Sequence, residues 1–247
     1  MNANRITWLG HSTVLAELDG VRLLTDPLLR RRVLHLRRVA PLPELDAAVD
    51  AVLVSHTHWD HLDLPSLRRI GHSTRVVVPR GAGRLLRRAG FTTVDEVDPG
   101  EVVHVGDVSV TATPAEHDSG GRLRRAVAPA LGFVLSCSCS VYFAGDTDVF
   151  PGMADLATGL DLALLPVWGW GPRLPAGHMD PRRAAEALTL LRPRSAVPVH
   201  WDTYRAVGAR RASGADPSPG EAFRRFAADL APEVEVEVLP VGGALTL

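Results

Sequence analysis

The sequence predicts a layered α/β protein, on three observations. Short strand-like runs joined by tight turns open the chain. From residue 51 apolar runs alternate with short helical stretches, and the second half repeats that alternation. A strand followed by a helix and then another strand builds a sheet covered on its face, which is the layering this order implies.

The elements follow in order. The runs RITWL, VLAEL and VRLLT are separated by Gly10-His11-Ser12 and by Asp19-Gly20, a tight-hairpin signal, so the chain is expected to start antiparallel. Residues 27–50 lack a clean period, carry an arginine cluster and pass through Pro41-Leu42-Pro43, which predicts an irregular loop or lid able to overhang a site. Then come AVLVS as a buried strand, LPSLRRI as a short helix, TRVVVP as a strand, and GAGRLLRRAG as a helix ended by glycine. Strands are expected at VVHV, VSVTATP, ALGFVLS, VYFAG and DLALLP, then a helix at PRRAAEALTLL, a strand at SAVPVH and a helix around GEAFRRFAADL. No Gly/Ser linker or short repeat divides the chain. One domain over 1–247 is therefore expected, made of two comparable halves that meet near 120–130.

Composition bounds the function classes. The chain has 247 residues, 46% hydrophobic and 22% charged, which is ordinary for a packed globular protein. Its formal net charge of −1 supplies no global field toward nucleic acid or an anionic membrane. All of its 27 cationic side chains are arginine, spread widely, a composition bias with little functional content. The pair Cys137 and Cys139 lies in SCSCSVYFAG, which reads as a strand, with both thiols on one face and not bridged; small buried residues in a reducing, cytoplasmic setting are expected. The N-terminus lacks the basic and apolar regions of a signal peptide, and no apolar run approaches the about 18 residues that span a bilayer.

The chemistry concentrates in Ser55-His56-Thr57-His58-Trp59-Asp60-His61-Leu62-Asp63, directly after the apolar strand AVLV. His56 and His58, two apart in extended chain, can aim at one ion, while Asp60 and His61, in the turn toward the next helix, can face a second. A single catalytic zinc takes about three protein ligands, so this density points to two ions completed from elsewhere. His117, Asp146 and His200 each follow a strand, and strand carboxyl ends converge on one rim of an α/β sheet. Any one of these histidines alone reads equally well as a structural residue. Five His and two Asp at successive strand ends read as a metal centre.

This pattern resembles that of the metallo-β-lactamase-fold hydrolases. The resemblance covers essentially the whole chain and implies a four-layer αβ/βα sandwich with metals at one edge between two sheets. It implies that His56, His58 and His117 bind one divalent ion, that Asp60, His61 and His200 bind another, and that Asp146 bridges them. Zinc is the expected metal, with manganese or iron as alternatives, since imidazole and carboxylate ligands admit all three. Trp8-Leu9-Gly10-His11-Ser12-Thr13, Leu24-Thr25-Asp26-Pro27, Gly177-His178-Met179-Asp180-Pro181 and His200-Trp201-Asp202-Thr203 resemble the group containing N-acylphosphatidylethanolamine-hydrolysing phospholipase D and the L-ascorbate-6-phosphate lactonases. The expected activity is hydrolysis of a phosphodiester or phosphorylated small molecule by water activated at a dinuclear centre. The alternatives are a lactonase, a nuclease, a redox di-iron protein, and a non-enzymatic metal-binding protein on the same scaffold. Near-neutral charge without a basic arm counts against nucleic acid as a partner.

Further residues carry expectations of their own. Asp60 and Asp146 are candidate catalytic groups as well as ligands, because each can orient the nucleophile. His178, in a Gly/Pro-flanked loop, is the preferred proton donor to a leaving group, with a capping or surface histidine as the alternative; His11 is a weaker substrate contact. Trp168 and Trp170 can wall a pocket or pack in the core. Asp26 can support a ligating histidine or mark a plain Asp-Pro turn, and Asp63 reads as a helix cap. Arginines 30–32 and 37–38 can meet an anionic substrate, though a solvated loop is the simpler reading. His35, His72 and His104 lack strand-end context and are expected to be structural or surface residues.

Overall fold

A computed structural model describes residues 3–45, 47–117, 128–156, 158–169, 174–207 and 217–247. Two seven-stranded sheets form its framework. The first runs, in spatial order, Ala244–Thr246, Arg5–Gly10, Thr13–Leu18, Val21–Thr25, Ala51–Leu53, Arg75–Pro79 and Val94–Val97. The second runs Glu235–Val236, Ser195–Val199, Leu162–Pro166, Ser140–Phe143, Leu131–Ser136, Val108–Pro114 and Val102–Val105. Each sheet is built the same way, with antiparallel strands at one side and four parallel strands at the other. Parallel neighbours need a crossover, and the helices α1 (Leu64–Ile70), α2 (Gly83–Arg88), α3 (Pro181–Leu191) and α4 (Pro219–Leu230) supply it for four of the six parallel pairs.

Alternation along the strands sorts side chains between layers. In Thr13–Leu18, Val14, Ala16 and Leu18 point into the space between the sheets, where they meet Phe133, Phe143, Leu164 and Val197. Leu15, on the opposite face, packs with Val52, Leu67, Val76 and Leu86 beneath α1 and α2. On the far side Ala163 and Leu165 pack against Ala184 and Leu188 of α3 and Phe223 and Ala227 of α4. The arrangement is the αβ/βα sandwich that the sequence reading expected.

Helix starts follow local chemistry. Asp63 caps α1 by accepting from the Ser66 amide at 3.0 Å, and Asp180 caps α3 by accepting from the Arg183 amide at 2.9 Å. Ser218 accepts from the Glu221 amide at 3.2 Å, a Ser-x-x-Glu start to α4.

Several expectations change. Residues 27–50 are not a featureless lid: Arg32–Val33 and Leu36–Arg38 form a hairpin that pairs with Tyr204–Ala206. Leu28, Val33, Leu36 and Tyr204 make its small core, a pattern too short to show a period in sequence. Arg38 is no solvated loop arginine. It is 7% exposed, and its guanidinium donates to the carbonyls of Leu9, Leu28 and Pro41 and lies over the Tyr204 ring. Cys137 and Cys139 occupy the turn between two strands and not a strand, closed by a Cys137 amide to Cys139 carbonyl bond; both are free and half-buried, with Sγ atoms 3.6 Å apart. Strands Val94–Val97, Glu235–Val236 and Ala244–Thr246 were not expected, being short and weakly apolar. The boundary expected near 120–130 falls largely outside the described residues; among the described residues the chain passes from the first sheet to the second between Val97 and Val102. No helix among the described residues is long and apolar enough to cross a membrane.

Leu164 lies at the centre of the space between the sheets, so Leu164→Ala is expected to cost about 2–5 kcal/mol in urea unfolding. A loss under about 1 kcal/mol would mean that this face is not packed as described.

Candidate metal centre

The densest polar cluster lies at the strand ends between the two sheets, and each of its side chains is placed by a local device. Ala51–Leu53 ends just before Ser55 and His56. The chain then turns so that the His58 carbonyl accepts from the amides of His61 at 3.1 Å and Leu62 at 2.8 Å, which brings Asp60 and His61 back beside His56. Glu116 and Asp148 form an isolated bridge that ties the segment bearing His117 to the one bearing Asp146. Gly145 has φ +62°, and a Cβ there would lie 2.7 Å from both the Leu131 carbonyl oxygen and Ser55 Cβ, so the backbone before Asp146 passes too close to the Ser55 segment for a side chain. Gly177, at φ +80°, approaches His117 in the same way and offers its carbonyl to His117 Nδ1 at 2.8 Å. His200 itself is left-handed, at φ 65°.

Two groups of donor atoms result. His56 Nε2 lies 3.0 Å from His58 Nδ1, which lies 3.1 Å from His117 Nε2. One proton can bridge only one of those pairs, whereas nitrogens about 2.0–2.1 Å from a tetrahedral zinc stand about 3.3 Å apart, so the trio fits a cation. In the other group Asp60 Oδ2 lies 3.5 Å from His61 Nε2 and 3.8 Å from His200 Nε2, and Asp146 Oδ2 lies 3.2 Å from His61 Nε2 and 3.4 Å from His200 Nε2. Asp146 also belongs with His117 and His178, its donor atoms lying within 4.8 Å of theirs, so it faces both groups.

The outer nitrogens are already engaged. His61 Nδ1 donates to Asp26 Oδ2 at 2.7 Å, His117 Nδ1 to the Gly177 carbonyl, and His200 Nδ1 to the Trp168 carbonyl at 2.8 Å. Ser55 Oγ donates to Asp26 Oδ2 at 2.6 Å and accepts from His56 Nδ1 at 2.9 Å. Each of these four rings thus turns Nε2 inward, the tautomer that ligation requires. His61 Nε2 and Asp146 Oδ1 are buried and have no hydrogen bond, although both are polar. The donor set of imidazoles and carboxylates, together with those inward-facing atoms, fits divalent cations.

Electrostatics point the same way. Burial alone would hold His61 and His200 neutral, but the carboxylates beside them, Asp146 foremost, push His61 well above the usual range and His200 up to about 9. Burial works against ionised Asp60 and Asp146, yet neighbouring histidines keep both well below the usual carboxylate range. Burial and the neighbouring imidazoles hold His56 well below its ordinary value. Burial is also the main cause that lowers His58 and takes His117 to about 4. Buried negative charge at one group and neutral imidazoles at the other are what a pair of cations would meet.

All seven expected ligands therefore lie in one cluster. His178 sits at its edge, side chain 13% exposed and Nε2 3.4 Å from Asp146 Oδ2. Asp26 is a buried hydrogen-bond partner of His61 and Ser55, not a plain turn residue. Asp63 caps its helix while pairing with Arg30 at 2.9 Å. Trp168 contributes its carbonyl to His200, and Trp170 lies outside the described residues. His11, expected as a substrate contact, is 1% exposed and lies 3.2 Å from Asp60. Two residues escaped sequence reasoning: Ser55, whose hydroxyl joins Asp26 to His56, and Gly177, whose carbonyl holds His117. Ser55 was in view beside His56, but nothing in the sequence says where its hydroxyl points.

Residues 21–201 match the family model described as a beta-lactamase superfamily domain. A metal-dependent hydrolase of Caldivirga maquilingensis is 34% identical, the match covering 98% of this chain and 97% of that protein. An N-acyl-phosphatidylethanolamine-hydrolyzing phospholipase D of Caenorhabditis elegans is 32% identical over 80% of this chain, which spans 64% of that protein. Among solved structures, a metallo hydrolase of Ignicoccus hospitalis superposes with a TM-score of 0.74 at 25% identity, covering 100% of this chain and 99% of its own.

Asp26→Asn exchanges an ionised acceptor for a neutral amide beside His61 and Ser55. Metal affinity is expected to fall about 10–100-fold in calorimetric titration while the fold persists by circular dichroism; unchanged affinity would remove Asp26 from the centre.

Proposed function

This chain belongs to the metallo-β-lactamase superfamily of metal-dependent hydrolases, and from that premise we propose that it hydrolyses a phosphodiester or phosphorylated small molecule at a two-metal centre. The observation that carries this reading is Asp146, whose carboxylate faces both donor groups. His56, His58 and His117 would hold one ion and Asp60, His61 and His200 the other, with Asp146 common to both. When bound, a pair of divalent ions, zinc with manganese or iron as alternatives, lowers the pKa of water toward neutrality and polarises phosphoryl or carbonyl oxygens.

The chain's own residues supply the rest. Asp146 fixes the spacing of the two groups. Asp60, buried and ionised, orients the attacking water. His178, 13% exposed with Nε2 3.4 Å from Asp146, donates a proton to the leaving oxygen in this reading. Trp168 stands beside the centre as a wall for substrate, its carbonyl engaged by His200. No side-chain nucleophile is needed. The resemblance to the phospholipase of Caenorhabditis elegans supports a phosphodiester. The formal net charge of −1 argues against a nucleic-acid substrate.

The test is metal analysis coupled to hydrolysis of bis(p-nitrophenyl) phosphate, a glycerophosphodiester and sugar-phosphate lactones. Two ions per chain and phosphodiester cleavage are expected; cleavage of lactones alone would move the enzyme to the lactonases. His58→Ala and Asp146→Ala are expected to lose metal and turnover together, and full activity with normal metal content in either would overturn the ligand set. His178→Gln is expected to keep its metal and lose about 10²–10⁴-fold in kcat on the glycerophosphodiester, but much less on the p-nitrophenyl ester, whose leaving group needs no proton. Equal losses on both would assign His178 another role.

A further inference from the structure

Resting on the two-metal reading above, we infer that His11 is a positioning residue for the second ion, holding both Asp60 and His200 in place. Its ring Nε2 lies 3.2 Å from Asp60 Oδ2, so the imidazole donates to the same oxygen that faces His61 and His200. Its carbonyl accepts from the His200 amide at 3.0 Å, and its ring centroid is 4.0 Å from that of His200. One residue therefore touches two members of the second group, by side chain and by main chain. Its donor atoms lie within 4.8 Å of those of Asp60, His61 and His200, whereas no such grouping joins it to His56, His58 or His117.

His11 is itself fixed from outside. Its amide donates to Thr203 Oγ1 at 2.7 Å, and its carbonyl also accepts from Trp8 Nε1 at 2.8 Å. The backbone is left-handed, at φ 55°, which few residues other than glycine adopt without cost. That conformation aims the ring inward and the carbonyl at His200, so the strained geometry serves both contacts. At 1% exposure His11 cannot meet a substrate from solvent, which separates this role from a binding one.

The variant of choice is His11→Asn, because asparagine tolerates the left-handed region and keeps the main-chain bond but is too short to reach Asp60. Titration of the metal-free chain with zinc should show one ion bound at wild-type affinity and the other weakened about 10–100-fold. Cobalt substitution should give an unchanged spectrum for the first ion and a displaced one for the second. His11→Gln, which restores a side-chain N–H donor, should recover part of the second affinity and checks the result if His11→Asn unfolds. Two ions at wild-type affinity in His11→Asn, or equal weakening of both, would overturn the assignment. A wild-type chain that binds a single ion would instead sink the two-metal reading itself.

Discussion

Everything at this centre follows from burying carboxylates. Asp26, Asp60 and Asp146 are each 5% exposed or less, and an isolated ionised carboxylate away from water is costly enough that it must be paired. The chain answers with a wall of imidazoles, which hold the charge on Asp60 and Asp146 and become protonated where the carboxylates crowd them. That compensation is one that divalent cations satisfy better than protons, because each carries twice the charge and accepts several ligands at once.

The need for such a cluster explains the architecture around it. Its members come from segments spread from His11 to His200, so no local structure can assemble them. Two sheets packed face to face bring two sets of strand ends to one edge, and the parallel halves of both sheets deliver His56 and Asp146 there directly after strands. Close approach then depends on missing side chains, as at Gly145 against Ser55 and Gly177 against His117. The outer hydrogen bonds are of two kinds. Asp26 and Ser55 connect His56 in one group with His61 in the other, while main-chain carbonyls fix His117 and His200 separately. A disturbance at Asp26 therefore reaches both groups, and one at Gly177 reaches a single ring.

The arginine-bearing hairpin over residues 32–38 shows how the same chain spends charge on structure. Arg38 closes three backbone carbonyls against Tyr204, and Arg30 pairs with the carboxylate that caps α1. Trp59, between His58 and Asp60, packs on the hairpin's apolar core. The rim of the centre is thus braced by a small sheet.

By itself the sequence determined the layered fold and singled out the seven side chains that cluster at the candidate centre, because both leave local marks. Alternation of apolar residues follows the period of each element, and His56-x-His58-x-Asp60-His61 places four donors within one turn. His117, Asp146 and His200 were legible for a related reason: each follows an apolar run that ends as a strand. The hairpin at 32–38, the turn at Cys137–Cys139 and the edge strand at 244–246 left no such mark, since two or three residues cannot show a period, and the hairpin and the edge strand also pair with distant segments. Only the tertiary structure decided the hydrogen-bond partners of His11, Asp26 and Ser55. Which atom of a buried polar side chain finds which partner depends on chain segments that meet from tens to nearly two hundred residues apart, and on backbone angles such as the left-handed His11 that no residue type dictates.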